Sequence, residues 1–139
     1  MALSGDVRPT RGLLDTSVYI AAESGRPLDR AALPEISYVS AITAAELEVA
    51  VHLAPDATTR AQRLKTWSEI TTNDLLGVDL DAAHEWSLIC ARMAGSGRRI
   101  NTNDLWIAAI ALANDLAVVT QDSDFDVFLE FGGPPIIRV

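Results

Sequence analysis

The chain has 139 residues, enough for one domain with a substantial core and too few for two. Hydrophobic residues make up 49% of it and aromatic residues only 6%, so we expect a core of Ala, Leu, Ile and Val. A formal net charge of −8 argues against a broadly basic nucleic-acid-binding surface, although divalent cations held by a cluster of acids attract phosphate locally.

Several sequence features indicate a cytoplasmic protein without membrane association. The longest apolar stretch, residues 105–113, is about half as long as a membrane span requires. Residues 1–11 lack the apolar segment of a signal peptide, and we expect them to form a flexible extension. A single cysteine, Cys90, excludes a disulfide framework.

The predicted elements alternate between strands and helices. In chain order they are a strand at 12–14, a helix from 18, a strand at 36–41, a helix from 43, a helix at 58–70, a strand at 75–80, a helix at 82–93, a helix at 104–114 and strands at 117–120 and 136–139. The run at 117–120 has no polar alternation, which is typical of a central parallel strand. This order predicts one α/β domain over residues 1–139, a three-layer sandwich with a mostly parallel central sheet.

Polar residues near the predicted helix starts predict how those helices are capped. Thr43 and Glu46 fit a Thr-x-x-Glu capping box. We expect Asp81 to cap the helix at 82–93, and Asn103 or Thr102 to cap the helix that follows.

Four acids adjoin short apolar segments: Asp15, Glu46, Asp104 and Asp122. Taken singly, each is explained about as well by helix capping. The carboxyl ends of parallel strands meet at one edge of a sheet, so the topology predicts that the four lie together there. Carboxylates clustered in a half-apolar setting require a compensating cation, and oxygen-only ligands favour Mg²⁺ or Mn²⁺ over zinc.

Hard cations held between carboxylates favour hydrolysis of a phosphodiester. Ser17 and Thr16 follow Asp15 closely enough to contact phosphate or a metal-bound water. Thr16 is better explained as a helix-start residue, whereas for Ser17 the two explanations are about equally good. His52 and His84 lie in separate helical segments without a partner motif, so we expect no histidine dyad or zinc site.

Four motifs occur in a defined order across residues 13–139. They are Leu-Leu-Asp15-Thr-Ser, Ser40-Ala-Ile-Thr-Ala-Ala-Glu46-Leu, Asn103-Asp104-Leu-Trp-Ile-Ala-Ala-Ile-Ala and Val118-Val-Thr-Gln-Asp122-Ser-Asp124-Phe125. Each motif alone is weak, but their order and spacing together are specific. In this combination the chain resembles the PIN-domain ribonucleases, specifically the VapC toxins of bacterial VapBC toxin–antitoxin pairs.

This resemblance implies an endoribonuclease that depends on Mg²⁺, for which Mn²⁺ can substitute. It implies cleavage of structured RNA, commonly transfer or ribosomal RNA, and thereby inhibition of translation. It also implies a homodimer and neutralisation by a cognate VapB-type antitoxin whose C-terminal segment lies across the active site.

Carried over position by position, the resemblance assigns roles to individual residues. The catalytic acids are Asp15, Glu46, Asp104 and, as the fourth, Asp122. The fourth assignment stays open, because Asp124 lies close to Asp122 and Asp126 follows it. The metal ligands are Asp15, Asp104 and Asp122, with Asp124 and Glu46 as further candidates. Thr120 matches a residue that often supports the site, and Ser17 is a second supporting residue on the ground of its place beside Asp15. Arg98 and Arg99 are candidate contacts to RNA phosphate, although most arginine pairs in loops are simply solvated.

Two alternative functions stay open at the level of sequence. A phosphatase of the haloacid dehalogenase type also begins with a strand that ends in Asp, but it needs an acid two positions later, where this chain has Ser17. A catalytically silent RNA- or protein-binding PIN module would keep the same fold. The acids present at every expected position argue against a silent module, yet a sequence does not show turnover.

Overall fold

A four-stranded, entirely parallel sheet with strand order β2-β1-β3-β4 forms the centre of the computed structural model, which describes residues 9–139. The strands are β1 (Arg11–Leu14), β2 (Ile36–Tyr38), β3 (Ala117–Thr120) and β4 (Ile136–Arg138). The helices are α1 (Thr16–Ser24), α2 (Ala41–His52), α3 (Ala57–Ile70), α4 (Leu80–Met93) and α5 (Thr102–Ala113). Two short 3₁₀ segments cover Arg30–Ala32 and Asp126–Phe131.

Helices cover both faces of the sheet, as alternation along its central strands requires. Leu13 and Val118 pack on the face beneath α4 and α5, where the main core lies. Leu14 and Val119 pack on the opposite face against Val18 of α1. Each such fully buried aliphatic side chain contributes about 1.5–3 kcal/mol. The predicted three-layer α/β sandwich is therefore confirmed.

The face of the sheet beside α1 has no room for a side chain at Gly12 of β1. A Cβ atom at this position would lie only 2.5 Å from Cγ2 of Val119, a buried residue of the neighbouring strand. Glycine at this position therefore leaves room for the Val119 side chain, which packs against Val18 of α1 on this face of the sheet.

Helix α5 is apolar almost all round because it is packed on most of its surface. Its buried residues are Leu105, Ile107, Ala108, Ala109, Ile110 and Ala111. Trp106 stacks on Trp86 of α4 with ring centroids 5.0 Å apart. The helix is thus fixed at its first turns, where Asp104 lies.

The predicted strand at 75–80 is wrong. In this segment only Leu76 pairs with another strand-like residue, through an isolated parallel bridge to Ser40. Leu75 and Leu76 pack against the cores, whereas Val78 and Leu80 are 48% and 84% exposed. The apolar run is therefore a loop that packs at one end and is solvated at the other.

The predicted caps of three helices are also wrong, because each helix begins earlier than expected. Helix α4 is capped by Asp79, whose Oδ1 accepts a hydrogen bond from the Ala82 N–H at 2.9 Å, and not by Asp81.

Because α2 and α5 also begin earlier than expected, two acids near their starts do not act as caps. Helix α2 is capped by Ser40, whose Oγ accepts the Thr43 N–H at 3.1 Å, so the Thr43–Glu46 capping box does not form. Helix α5 is capped by Asn101, whose Oδ1 accepts the Asp104 N–H at 3.1 Å, in place of Asn103 or Thr102. The carboxylates of Glu46 and Asp104 are thus not used as caps.

The N-terminal extension falls mostly outside the described residues, since the structure describes none of residues 1–8. Carbonyl oxygens of Pro9 and Thr10 accept hydrogen bonds from the Glu35 and Ile36 N–H groups at 3.0 and 2.9 Å. Within residues 9–139, no helix is both long enough and apolar enough to cross a membrane.

The corrected cap of α4 can be tested with a pair of substitutions. Asp79→Ala removes the side-chain cap and should lower the free energy of unfolding by about 1 kcal/mol. Asp81→Ala removes only a favourable charge in the first turn and should cost about half as much. Urea unfolding of both variants measures the difference, and a larger loss for Asp81→Ala would restore the cap expected from the sequence.

Candidate active site

Asp15 occupies the N-cap position of α1, yet its side chain does not cap the helix. It is only 5% exposed, and its two oxygens accept hydrogen bonds from Ser17 Oγ at 2.6 Å and from Thr120 Oγ1 at 2.9 Å. Burial raises the pKa of Asp15 to about 6, although these two hydroxyl groups act in the opposite direction. The capping explanation of Asp15 is therefore wrong, and two hydroxyls fix its carboxylate.

The same hydroxyl groups also fix the chain that follows β3. Ser17 Oγ accepts the Gln121 N–H at 3.0 Å, and Thr120 Oγ1 accepts the Asp122 N–H at 3.0 Å. Ser17 and Thr120 are both buried. Together they tie the end of β1, the start of α1 and the end of β3 into one rigid edge.

Glu46 lies in the second turn of α2 and is held from α1. The Thr16 hydroxyl donates to Glu46 Oε1 at 2.7 Å. The sequence suggested only a helix-start role for Thr16. The structure gives it a second role, because its hydroxyl positions the Glu46 carboxylate beside the end of β1.

Asp104, in the first turn of α5, has the largest upward pKa shift of the described acids. Its pKa is raised to about 7, first by burial and then by the negative charges of Asp124, Glu46, Asp15 and Asp122. Within residues 9–139 no cation forms an ion pair with it. Negative charge is thus concentrated here, and none of the described ion pairs involves Asp104.

The two acids after β3 differ in their surroundings. Asp122 is half-buried and follows the anchored Thr120, whereas Asp124 is exposed. Asp126, further along, is engaged in an ion pair with Arg138 at 2.9 Å. The site acids of this segment are therefore Asp122 and Asp124.

One cleft of about 270 Å³ brings the predicted acids together. Its lining residues are Asp15, Thr16, Ser17, Ile20, Arg26, Glu46, Asn101, Asp104, Ile107, Asp122 and Asp124. A larger hollow of about 710 Å³ between α1, β2 and α3 contains none of these acids. Carboxylate density, and not size, distinguishes the smaller cleft.

The carboxylates fit a hydrated hard cation better than a pre-formed metal cage. Among residues 9–139, no three His, Cys, Asp or Glu side chains are grouped closely enough to hold a metal ion as they stand. Mg²⁺ is commonly bound through one or two carboxylates, while water and substrate phosphates complete its shell. An oxygen-only donor set with raised pKa values suits such an ion and does not suit zinc.

Comparison with known proteins identifies the family. Residues 12–128 match the sequence profile described as the PIN domain. The chain belongs to the PIN-domain family. PIN-domain ribonucleases generally depend on divalent metal ions, in agreement with the cluster of acids.

Proteins similar in sequence to this PIN domain include VapC ribonucleases. Ribonuclease VapC5 of Mycobacterium tuberculosis is 47% identical over 131 residues, which cover 94% of this chain and 97% of the relative. Ribonuclease VapC4 of the same organism is 37% identical over 116 residues, covering 83% and 88%. A crystal structure of VapBC-5 from M. tuberculosis, a member of the VapBC family of toxin–antitoxin systems, matches with a TM-score of 0.85 and 44% identity, covering 94% of this chain and 100% of that chain.

Membership of the PIN-domain family excludes the haloacid dehalogenase-type alternative. The residue at the decisive position is Ser17, and its hydroxyl donates a hydrogen bond to Asp15. A serine hydroxyl is far less acidic than a carboxyl group, so it does not supply the proton that an acid would give at this position.

The two arginines predicted to contact RNA lie outside the cleft of this PIN domain. Arg98 forms an ion pair with Glu130, and Arg99 is exposed in the loop before α5. Neither lines the cleft, so their contact with phosphate stays a prediction for RNA that extends beyond it.

Sequence reasoning missed two polar residues of the cleft, Arg26 and Asn101. Asn101 was detectable in principle, because Asn three residues before Asp104 fits an N-cap. Arg26 follows a helix and no strand, so the rule that strand ends converge gives no indication of it.

The charge concentration predicts how the metal-free protein responds to pH. Because the folded pKa of Asp104 exceeds that of an ordinary Asp, the native state binds its proton more tightly than the unfolded state. The resulting penalty is absent below about pH 4, grows as pH rises and is complete above about pH 7. Asp104→Asn should therefore raise the Tm at pH 8 by about 3 °C, and this gain should vanish near pH 4.

Thermal unfolding in EDTA at both pH values checks this expectation. Asp126→Asn is the matched control, because Asp126 lies in an ion pair outside the cleft and should give no gain at pH 8. A lower Tm for Asp104→Asn at pH 8 would mean that its carboxylate stabilises the fold.

Proposed function

We propose that this protein is the toxin of a type II toxin–antitoxin system, a metal-dependent endoribonuclease that hydrolyses phosphodiester bonds in structured RNA. Transfer or ribosomal RNA would be the substrate, and its cleavage would inhibit translation. The observation that carries the proposal is one cleft lined by five acids, in which Asp104 is half-buried and has a raised pKa. The similarity to VapC5 and VapC4, both named ribonucleases, supports it.

In this proposal Asp15, Asp104 and Asp122 hold Mg²⁺, for which Mn²⁺ can substitute, while Asp124 and Glu46 add further oxygen donors. When bound, the ion neutralises charge on phosphate and makes water more acidic. The ion would also relieve the repulsion that raises the pKa of Asp104.

The protein's own contribution is the position of its carboxylates. Ser17 and Thr120 fix Asp15, and Thr16 fixes Glu46 Oε1. Within the described residues, Glu46 Oε2 has no hydrogen-bond partner, which suits it to accept a proton from water as the water attacks phosphorus. The P–O bond to the leaving ribose oxygen breaks in the same reaction, and that oxygen takes up a proton from solvent. Such fixed groups need little rearrangement during reaction, and this lowers the barrier.

The proposed partners follow from the family. VapC proteins pair with VapB antitoxins, and the matched M. tuberculosis structure belongs to such a system. We therefore propose a cognate VapB-type antitoxin, an RNA substrate and a homodimer, in the cytoplasm, with residues 1–139 acting as one domain.

The proposal is tested by incubating total cellular RNA with purified protein in Mg²⁺, Mn²⁺ or EDTA and mapping new RNA ends. Discrete cuts should appear with either metal and disappear in EDTA. Asp104→Asn should reduce their rate by about 100-fold or more, because it removes an acid from the centre of the cluster.

Asp126→Asn is the matched control for that experiment, because it removes the same charge from outside the cleft. It should cut at the wild-type rate. Equal cutting by Asp104→Asn would indicate a contaminating ribonuclease, and no metal-dependent cutting by the wild type would favour the silent binding module.

The fourth acid can be assigned by comparing Asp122→Asn with Asp124→Asn. Asp122 is half-buried beside anchored backbone, so its replacement should reduce the cleavage rate by about 100-fold. Asp124 is exposed, and its replacement should reduce the cleavage rate by only about tenfold, the lower end of the range for groups that act on a metal through another group. Single-turnover rates on one RNA decide between them, and the reverse order would make Asp124 the principal ligand.

A further inference from the structure

Arg26 is the one basic residue among those that line the acidic cleft. It is exposed, and in the part of the chain that the structure describes its side chain forms no ion pair with any carboxylate. A cation beside five acids that pairs with none of them has its donors available for a ligand.

The backbone on the N-terminal side of Arg26 is fixed by the end of α1. Gly25 adopts a left-handed conformation with φ of 76°, which favours glycine. The N–H groups of Gly25 and Arg26 both donate to the Ala21 carbonyl. This turn determines where the chain leaves the helix.

The C-terminal side of Arg26 is anchored to the site itself. Gln121 Nε2 donates to the Pro27 carbonyl at 2.7 Å and to the Val139 carbonyl at 3.1 Å. The Gln121 N–H is bound in turn by Ser17, and Gln121 directly precedes Asp122. The loop that carries Arg26 is therefore connected to the same edge that carries the acids.

We propose that Arg26 binds a phosphate of the RNA substrate in the cleft. This proposal rests on the ribonuclease function proposed above. A guanidinium group presents a planar fork of donors that matches two phosphate oxygens, and it does not lose its charge. RNA that approaches this cleft meets several carboxylates, and Arg26 supplies attraction that is independent of base sequence.

A phosphate contact makes a specific kinetic prediction. Arg26→Gln should raise KM for RNA cleavage by about 10- to 100-fold, as expected when a charge-assisted hydrogen bond is lost, and change kcat by no more than about twofold. Arg26→Lys keeps the charge but loses the fork, so its KM should be intermediate.

Salt dependence provides a second measurement that a purely structural residue would not alter. RNA binding is measured with Mg²⁺ in the Asp104→Asn background, so that the RNA stays intact. The slope of log Kd against log salt should fall by about 0.7 when Arg26→Gln is added, the value for one phosphate contact with a single strand. Arg26→Lys should keep the slope.

Arg30→Gln is the matched control, because Arg30 is an exposed arginine four positions away that does not line the cleft. It should leave KM and the salt slope unchanged. Melting temperatures of all variants in EDTA show whether any substitution acts through folding.

Two results would overturn the proposal while the ribonuclease function stands. Cleavage and salt slope of Arg26→Gln equal to those of Arg30→Gln would mean that Arg26 does not touch RNA. A lower Tm in EDTA with unchanged KM would mean that Arg26 only balances the carboxylates. Failure of the wild type to cut or bind RNA would instead remove the proposed function, and the role of Arg26 with it.

Discussion

The buried carboxylate of Asp15 is the point on which the rest of the site depends. Its two hydroxyl partners come from α1 and from the end of β3. The same two hydroxyl oxygens accept hydrogen bonds from the N–H groups of Gln121 and Asp122, the two residues that follow β3. One acid therefore links the ends of two parallel strands and, through its hydroxyl partners, the segment that carries Asp122. A buried carboxylate is tolerated because both of its oxygens are satisfied.

Around this fixed acid, the fold brings together carboxylates that repel one another. Glu46 comes from α2, Asp104 from α5, and Asp122 and Asp124 from the loop after β3. The tight apolar packing of α5 against the sheet and α4 holds Asp104 in place despite its raised pKa. The fold thus sacrifices stability at this cleft, as enzymes commonly do, in return for a place that attracts a cation.

The sequence was informative where a general rule links pattern to position. Apolar runs predicted the strands of the sheet, and the convergence of parallel strand ends placed four distant acids in one cleft. It was misleading where neighbouring residues compete for the same role. Asp79 and Asn101 cap helices in place of the residues that the sequence favoured, and the apolar run at 75–80 is half solvated. The place of Arg26 in the cleft was not predictable from the sequence, because it depends on a hydrogen bond between Gln121 and Pro27, which are 94 positions apart.

The parallel order of the sheet also determines how late in synthesis the cleft can fold. β1 lies near the start of the chain, but its inner neighbour β3 begins at Ala117, and Asp15 meets Thr120 across 105 positions. Contacts this distant form late and slowly. A nascent chain in which only Asp15 and Glu46 have left the ribosome therefore has no assembled cleft, and the cleft forms only when almost the whole polypeptide has emerged.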